Sequence, residues 1–200
     1  MIKFVIASVL LASSLVAVDE GAKTSTAPVE TWDVDTVHSM ALFRVQHVGA
    51  GQFWGRFNDV TGTVKWPRDD SVAPEFDITI AIDSVDTGNE KLDRHLKSPD
   101  FFNGREFETA TFRSNGAERI GERCWRVNGD MTMLGQTKPI TAELEVTGVR
   151  GNPVQAKAGW EAIYTIKRSD FGMNWGVENG ALGDEVKIIV GLEGNIEPGR

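Results

Sequence analysis

The run Ala156-Lys157-Ala158-Gly159-Trp160-Glu161-Ala162-Ile163-Tyr164-Thr165-Ile166-Lys167 decides the fold. Ala156, Ala158, Trp160, Ala162, Tyr164 and Ile166 fall on one side of it; Lys157, Glu161, Thr165 and Lys167 fall on the other. Successive side chains of a strand point to opposite faces, so this alternation describes a strand with one apolar and one wet face. Three further stretches repeat it. Phe76, Ile78, Ile80 and Ile82 alternate with acidic and small residues, Ile140, Ala142, Leu144 and Val146 alternate with threonine and glutamate, and Val186, Ile188, Val190 and Leu192 continue the same every-second-residue pattern. One-sided strands are the mark of antiparallel sheet.

Weaker runs at Thr31–Asp35, Ser39–Val48, Phe53–Trp66, Phe107–Ser114 and Trp125–Leu134 fill the remaining length. Between Phe57 and Val60 the apolar phase slips by one residue, which predicts a bulge or bend. Turn chemistry at Pro67–Asp70, Asn115-Gly116, Gly135–Lys138 and Gly148–Pro153 separates the runs, and Asn179-Gly180 marks a turn within a loop from Gly176 to Gly183. Many strands with short connections read as a sandwich or barrel. Their length favours closure, so the expected architecture is an all-β, antiparallel β-barrel of about eight strands. One segment departs from period two. Asp86-Thr87-Gly88-Asn89 supplies N-cap residues, Leu92 and Leu96 follow at i and i+4, and Pro99 ends the element. This predicts one short helix over Glu90–Ser98, lying at a mouth of the barrel or in its longest loop.

The barrel domain is expected over residues 31–197. Ahead of it, Lys3 precedes an apolar run from Phe4 to Val18, too short for the roughly 20 residues of a membrane span. Residues 1–18 therefore read as a secretory signal peptide or an uncleaved anchor, with imperfect small-x-small sites at Ala12-Ser13-Ser14 and Leu15-Val16-Ala17. Residues 19–30 are small and polar and read as a linker. A net charge of −8 argues against nucleic acid or an anionic membrane surface as the main partner and keeps the chain soluble. The single cysteine, Cys124, cannot form an internal disulfide and reads as a packed thiol.

No catalytic constellation is visible. There is no GxSxG elbow, no HxH, HExxH or CxxC spacing and no phosphate loop. His38 and His47 are nine residues apart on one predicted run, which puts them on opposite faces, so neither a metal nor a cofactor is expected. The aromatic and sulfur supply is what stands out. Eight strands enclose an interior that side chains just fill or that holds one small ligand, and composition alone does not choose between these.

Several ordered segments resemble the YceI-like family of polyisoprenoid-binding barrel proteins. They are Trp32-Asp33-Val34-Asp35 with His38-Ser39, Ser84-Val85-Asp86-Thr87-Gly88-Asn89, and His95-Leu96 with Ser98 and Asp100-Phe101-Phe102. Thr111-Phe112 with Ser114, Asn128-Gly129-Asp130 with Thr132, Gly135 with Thr137-Lys138-Pro139, and Arg168-Ser169-Asp170-Phe171-Gly172 continue the series. The resemblance implies a lipocalin-like barrel, a long isoprenoid or similar amphiphile in its lumen, and export to the periplasm. Leu92-Asp93 stands where the family often has Arg-Asp, and Glu108 where it often has proline, so head-group preference is expected to differ here.

With the apolar faces taken as inner, the expected lumen lining is Phe43, Phe57, Ile80, Leu92, Leu96, Phe101, Phe102, Phe112, Met131, Met133, Trp160 and Phe171. His38, Arg94, His95 and Arg168 are candidate polar contacts, each with an equally good structural role. The function expected is a non-catalytic, periplasmic or secreted carrier of an isoprenoid, quinone-like or fatty amphiphile, with transient contact to a membrane or lipid donor. The alternatives are a barrel filled by its own side chains and, behind it, a lipid-acting enzyme.

Overall fold

A computed structural model describes residues 27–152 and 154–196. The leader at 1–18 and most of the linker lie outside the described residues. The strands in chain order are β1 (Glu30–Val34), β2 (Met40–His47), β3 (Gly51–Phe57), β4 (Val60–Trp66), β5 (Glu75–Ala81), β6 (Val85–Asp86), β7 (Thr109–Arg119), β8 (Cys124–Met133), β9 (Gln136–Gly151), β10 (Ala156–Lys167) and β11 (Leu182–Ile196). One α-helix, α1 (Glu90–Leu96), and two 3-10 turns at Ile82–Ser84 and Arg168–Phe171 complete the fold.

All strands belong to one antiparallel sheet, and eight of them (β1, β4, β5, β7, β8, β9, β10 and β11) close into a ring. The deciding run is β10, paired with β11 along its whole length from Ala156↔Ile196 to Lys167↔Glu185. Its inward residues meet inward partners, as in Trp160↔Leu192, Ala162↔Val190 and Tyr164↔Ile188. Closure depends on the length of β11. Its first part pairs with β2, and its last residues pair with β1 at Asp33↔Asn195 and Val34↔Gly194.

The slip between Phe57 and Val60 is a break between strands. The expected single run Phe53–Trp66 is β3 plus β4, which pair with different neighbours: β3 with β2 and β6, β4 with β1 and β5. The two residues between them are held by backbone bonds, from Asn58 to the Ser84 carbonyl at 3.2 Å and from Ala81 to the Asp59 carbonyl at 3.0 Å. Asn115-Gly116, expected as a turn, is a bulge inside β7, where the register against β8 shifts between Ser114 and Gly116. A bulge needs the same permissive residues as a turn, so local chemistry does not separate them. The β8–β9 connection is a two-residue turn in which Leu134 and Gly135 both have positive φ, 53° and 70°. Helix α1 ends two residues earlier than expected; the Asn89 side-chain oxygen accepts from the Lys91 and Leu92 amides, each at 3.1 Å.

One end of the barrel is sealed by tryptophans from three strands. Trp32, Trp66 and Trp160 are at most 1% exposed, with ring centroids 5.7 to 6.1 Å apart. Trp32 Nε1 donates to the Trp66 carbonyl at 3.1 Å. Gly194 leaves room for this floor, since a Cβ there would lie 2.8 Å from the Trp160 ring.

Candidate functional site

The space above the tryptophan floor is divided into two apolar chambers and a mouth. The lower chamber, about 50 Å³, is lined by residues including Phe76, Ile80, Phe112, Leu144, Trp160, Ala162 and Tyr164. The upper chamber, about 80 Å³, is lined by Phe43, Phe57, Ile80, Leu96, Phe101, Phe102, Met131, Met133, Tyr164, Met173 and others. Ile80 and Tyr164 border both. The mouth is a wider cavity of about 470 Å³ among Phe43, His47, Phe53, Leu92, His95, Leu96, Phe101, Trp175 and Leu182. Phe43, Val45, Leu96, Phe101 and Leu182 are common to mouth and upper chamber, so the three cavities follow one another from rim to floor with shared side chains between them.

The interior is thus neither wide open nor solid. Each chamber is smaller than the engineered cavity of about 150 Å³ that takes up benzene in an apolar protein core. A long chain occupies this lumen only if lining side chains move, and Met131, Met133 and Met173 are well suited to that. Their unbranched, polarizable side chains repack around irregular shapes at small cost.

Of the expected lining residues, Phe43, Phe57, Ile80, Leu96, Phe101, Phe102, Met131 and Met133 surround the upper chamber; Phe112 and Trp160, with Ile80, surround the lower. Leu92 stands at the mouth. Phe171 departs from the expectation. It packs inside the Arg168–Phe171 turn, 2% exposed, and borders a separate groove with Pro99, Asn103, Phe107 and Gln136. The 3-10 turn ends the alternation of β10 and takes Phe171 out of its face. Tyr164, Ile166, Met173 and Ile188 were not singled out as lining residues although they border the chambers. Tyr164, Ile166 and Ile188 continue the apolar faces of their strands; Met173 lies in a loop, where periodicity gives no signal.

The polar candidates separate widely. His38 lies just before β2 and His47 ends it, so His38 is at the floor end, away from the mouth. Its Nδ1 is 3.0 Å from Asp35 and 3.7 Å from Glu193. Asp35, His38 and Glu193 present three potential ligand atoms close together. Lys157, however, already bridges the carboxylates of Asp35, at 3.1 Å, and Glu193. His38, Asn195 and Lys157 together hold the Asp35 carboxyl well below the usual carboxylate range. Arg94 points to solvent on α1, its Nη1 3.7 Å from Glu90.

His95 is at the rim. Its ring stands edge-on to Phe101 and Trp175, at 5.0 and 5.3 Å between centroids, and its Nε2 is 3.0 Å from Asp100. Asp93, the second residue of the unusual Leu92-Asp93 pair, accepts from the Thr87 amide at 2.8 Å and hydroxyl at 2.6 Å, pinning the helix to the strand before it. Arg168 borders the upper chamber, but its guanidinium is spent on backbone. It donates to the carbonyls of Gly183, Met173, Trp175 and Leu182 at 2.8 to 3.0 Å. Burial pushes its pKa down, and nearby Asp184 opposes the shift. Arg168 thereby ties the loop that carries Met173 and Trp175 to the barrel.

A model of the YceI-like domain matches residues 32–194. Protein YceI of Escherichia coli O157:H7 is 35% identical over 163 residues, 81% of this chain and 84% of that protein, and its counterpart in Salmonella arizonae is 34% identical over the same shares. The crystal structure of the Campylobacter jejuni YCEI protein superposes with a TM-score of 0.68 at 28% identity, covering 75% of this chain and 88% of that one. Two more distant structures share the fold. Burkholderia cenocepacia BcnA has a TM-score of 0.70 at 23% identity, over 80% of this chain and 99% of its own. A Saccharophagus degradans domain described as polyisoprenoid-binding has 0.64 at 18% identity, over 84% and 98%.

Proposed function

The chain belongs to the YceI-like family, and we propose that its barrel takes up a long apolar amphiphile through the mouth and carries or sequesters it without chemical change. The observation that carries this reading is the series of largely apolar cavities stacked from the Trp175–His95 rim to the tryptophan floor. Each methylene moved from water into such cavities is worth about 0.8 kcal/mol, so a hydrocarbon tail binds there without specific polar contacts. The fold shared with a polyisoprenoid-binding domain points to isoprenoids as the first class to test. The apolar run ahead of the domain supports action outside the cytoplasm, in the periplasm.

The competing reading is a barrel filled by its own side chains, and the modest chamber volumes favour it wherever the methionines stay in place. Native mass spectrometry of gently purified full-length protein separates the two. A carrier retains an apolar adduct or gains one when incubated with a polyprenol. Protein that holds nothing and takes up neither polyprenol nor fatty amphiphile refutes the proposal.

A further inference from the structure

Tyr164 is the only tyrosine in the chain, and it projects from β10 into the lumen where upper and lower chambers meet. Its hydroxyl has no hydrogen-bond partner among the described residues, while remaining open to the cavity rather than sealed among packed atoms. Burial alone pushes its pKa well above the ordinary tyrosine value, so it is a neutral donor at any physiological pH. Buried tyrosine hydroxyls normally find a partner, and leaving one unpaired is unfavourable. Phenylalanine would fill the same space without that penalty. Water is a poor partner here, because a buried water needs about two to four polar neighbours and this waist offers one free hydroxyl. Arg168, the other polar side chain on the upper chamber, already donates to four backbone carbonyls. Trp160 Nε1 also lacks a partner, but it is sealed beneath the lower chamber's surface.

We propose that Tyr164 is the lumen's hydrogen-bonding contact, and that it donates at mid-barrel, rather than at the rim, to an uncharged carbonyl oxygen on the bound amphiphile. This rests on the carrier reading and deepens it by naming the residue that holds the ligand's polar group. A charged head group is disfavoured at this depth, since the cation bordering the upper chamber among the described residues, Arg168, is already held by four backbone carbonyls, and burying an unpaired ion is prohibitive.

The test compares wild-type chain with Tyr164→Phe against two probes: farnesylacetone, and the matched hydrocarbon in which its carbonyl is a methylene. Titration calorimetry is expected to show ketone affinity falling about tenfold in the variant, and hydrocarbon affinity unchanged. In wild type, the carbonyl stretch of the bound ketone is expected at lower frequency than in hexane, and the shift is lost in the variant. If wild type binds neither probe, both the carrier reading and this inference fall. If wild type binds both but the carbonyl stretch is unshifted, or the variant changes both affinities equally or neither, the Tyr164 assignment alone is overturned. The infrared measurement on wild type holds whatever the variant's stability.

Discussion

Ala162→Ile puts the carrier reading to a quantitative test. Ala162 lines the lower chamber between Trp160 and Tyr164 on β10 and is half-buried. Isoleucine adds three carbons on a residue type that suits a strand. If they enter the 50 Å³ chamber, they bury apolar surface worth at most about 2.4 kcal/mol at ~0.8 kcal/mol per carbon, less whatever strain the packing imposes. Thermal unfolding is then expected a few degrees higher, at roughly 2–4 °C per kcal/mol for a chain of this size. The same three positions are lost to a bound tail. Affinity for geranylgeraniol, measured by titration calorimetry, should fall by up to about fifty-fold, the same ~2.4 kcal/mol expressed as a ratio. A gain in stability coupled to a loss in affinity is what a ligand-holding lumen requires. A rise in melting temperature with affinity within about threefold of wild type would mean that the tail does not reach this chamber, and the reasoning would fail.

Three further outcomes follow from the geometry. Gly55 sits across from Phe43, and a Cβ there would overlap the Phe43 ring, so Gly55→Ala should cost about 1–3 kcal/mol in urea unfolding; an unchanged midpoint would show that the ring swings aside freely. Arg168→Met strips donors from four backbone carbonyls and should lower unfolding free energy by roughly 3 kcal/mol or more, with Arg168→Lys in between; equal stability of Lys and Met variants would contradict the four-carbonyl clamp. The Asp86 carboxyl is held down at about 2 by the Gly88 amide first, then by Arg56 and Asn58. Because its folded pKa lies below the unfolded value near ~4, its stabilisation is complete above that value and is lost as pH falls through about 2. The stability gap between wild type and Asp86→Asn should therefore narrow from pH ~4 to ~2, and a pH-independent gap would count against it.

The alternation in β10, β5 and β11 made the barrel legible, because a strand with one buried face must repeat every second residue whatever its neighbours are. The same rule assigned Phe43, Ile80, Phe112, Met131, Met133 and Trp160 to the inside. It failed where the backbone leaves period two. Phe171 belongs to a 3-10 turn, Met173 to a loop, and Asn115-Gly116 to a bulge with the chemistry of a turn. The polar candidates were the least legible. His38 and His95 are alike as residues, but His38 lies just before β2 at the floor end while His95 stands on α1 at the rim, and only closure shows which end is the mouth.

By itself, then, the order of residues determined the strands, their inner faces, the helix cap at Asn89 and the absence of a recognisable catalytic motif, because each of these depends on near neighbours along the chain. Tertiary structure alone decided the rest. It brought Trp32, Trp66 and Trp160 together as a floor, spent the Arg168 donors on backbone carbonyls, and set Tyr164 between the chambers with no hydrogen-bond partner for its hydroxyl among the described residues. Whether a polar group is satisfied depends on every atom within hydrogen-bonding reach, and most of those atoms come from strands far away in sequence.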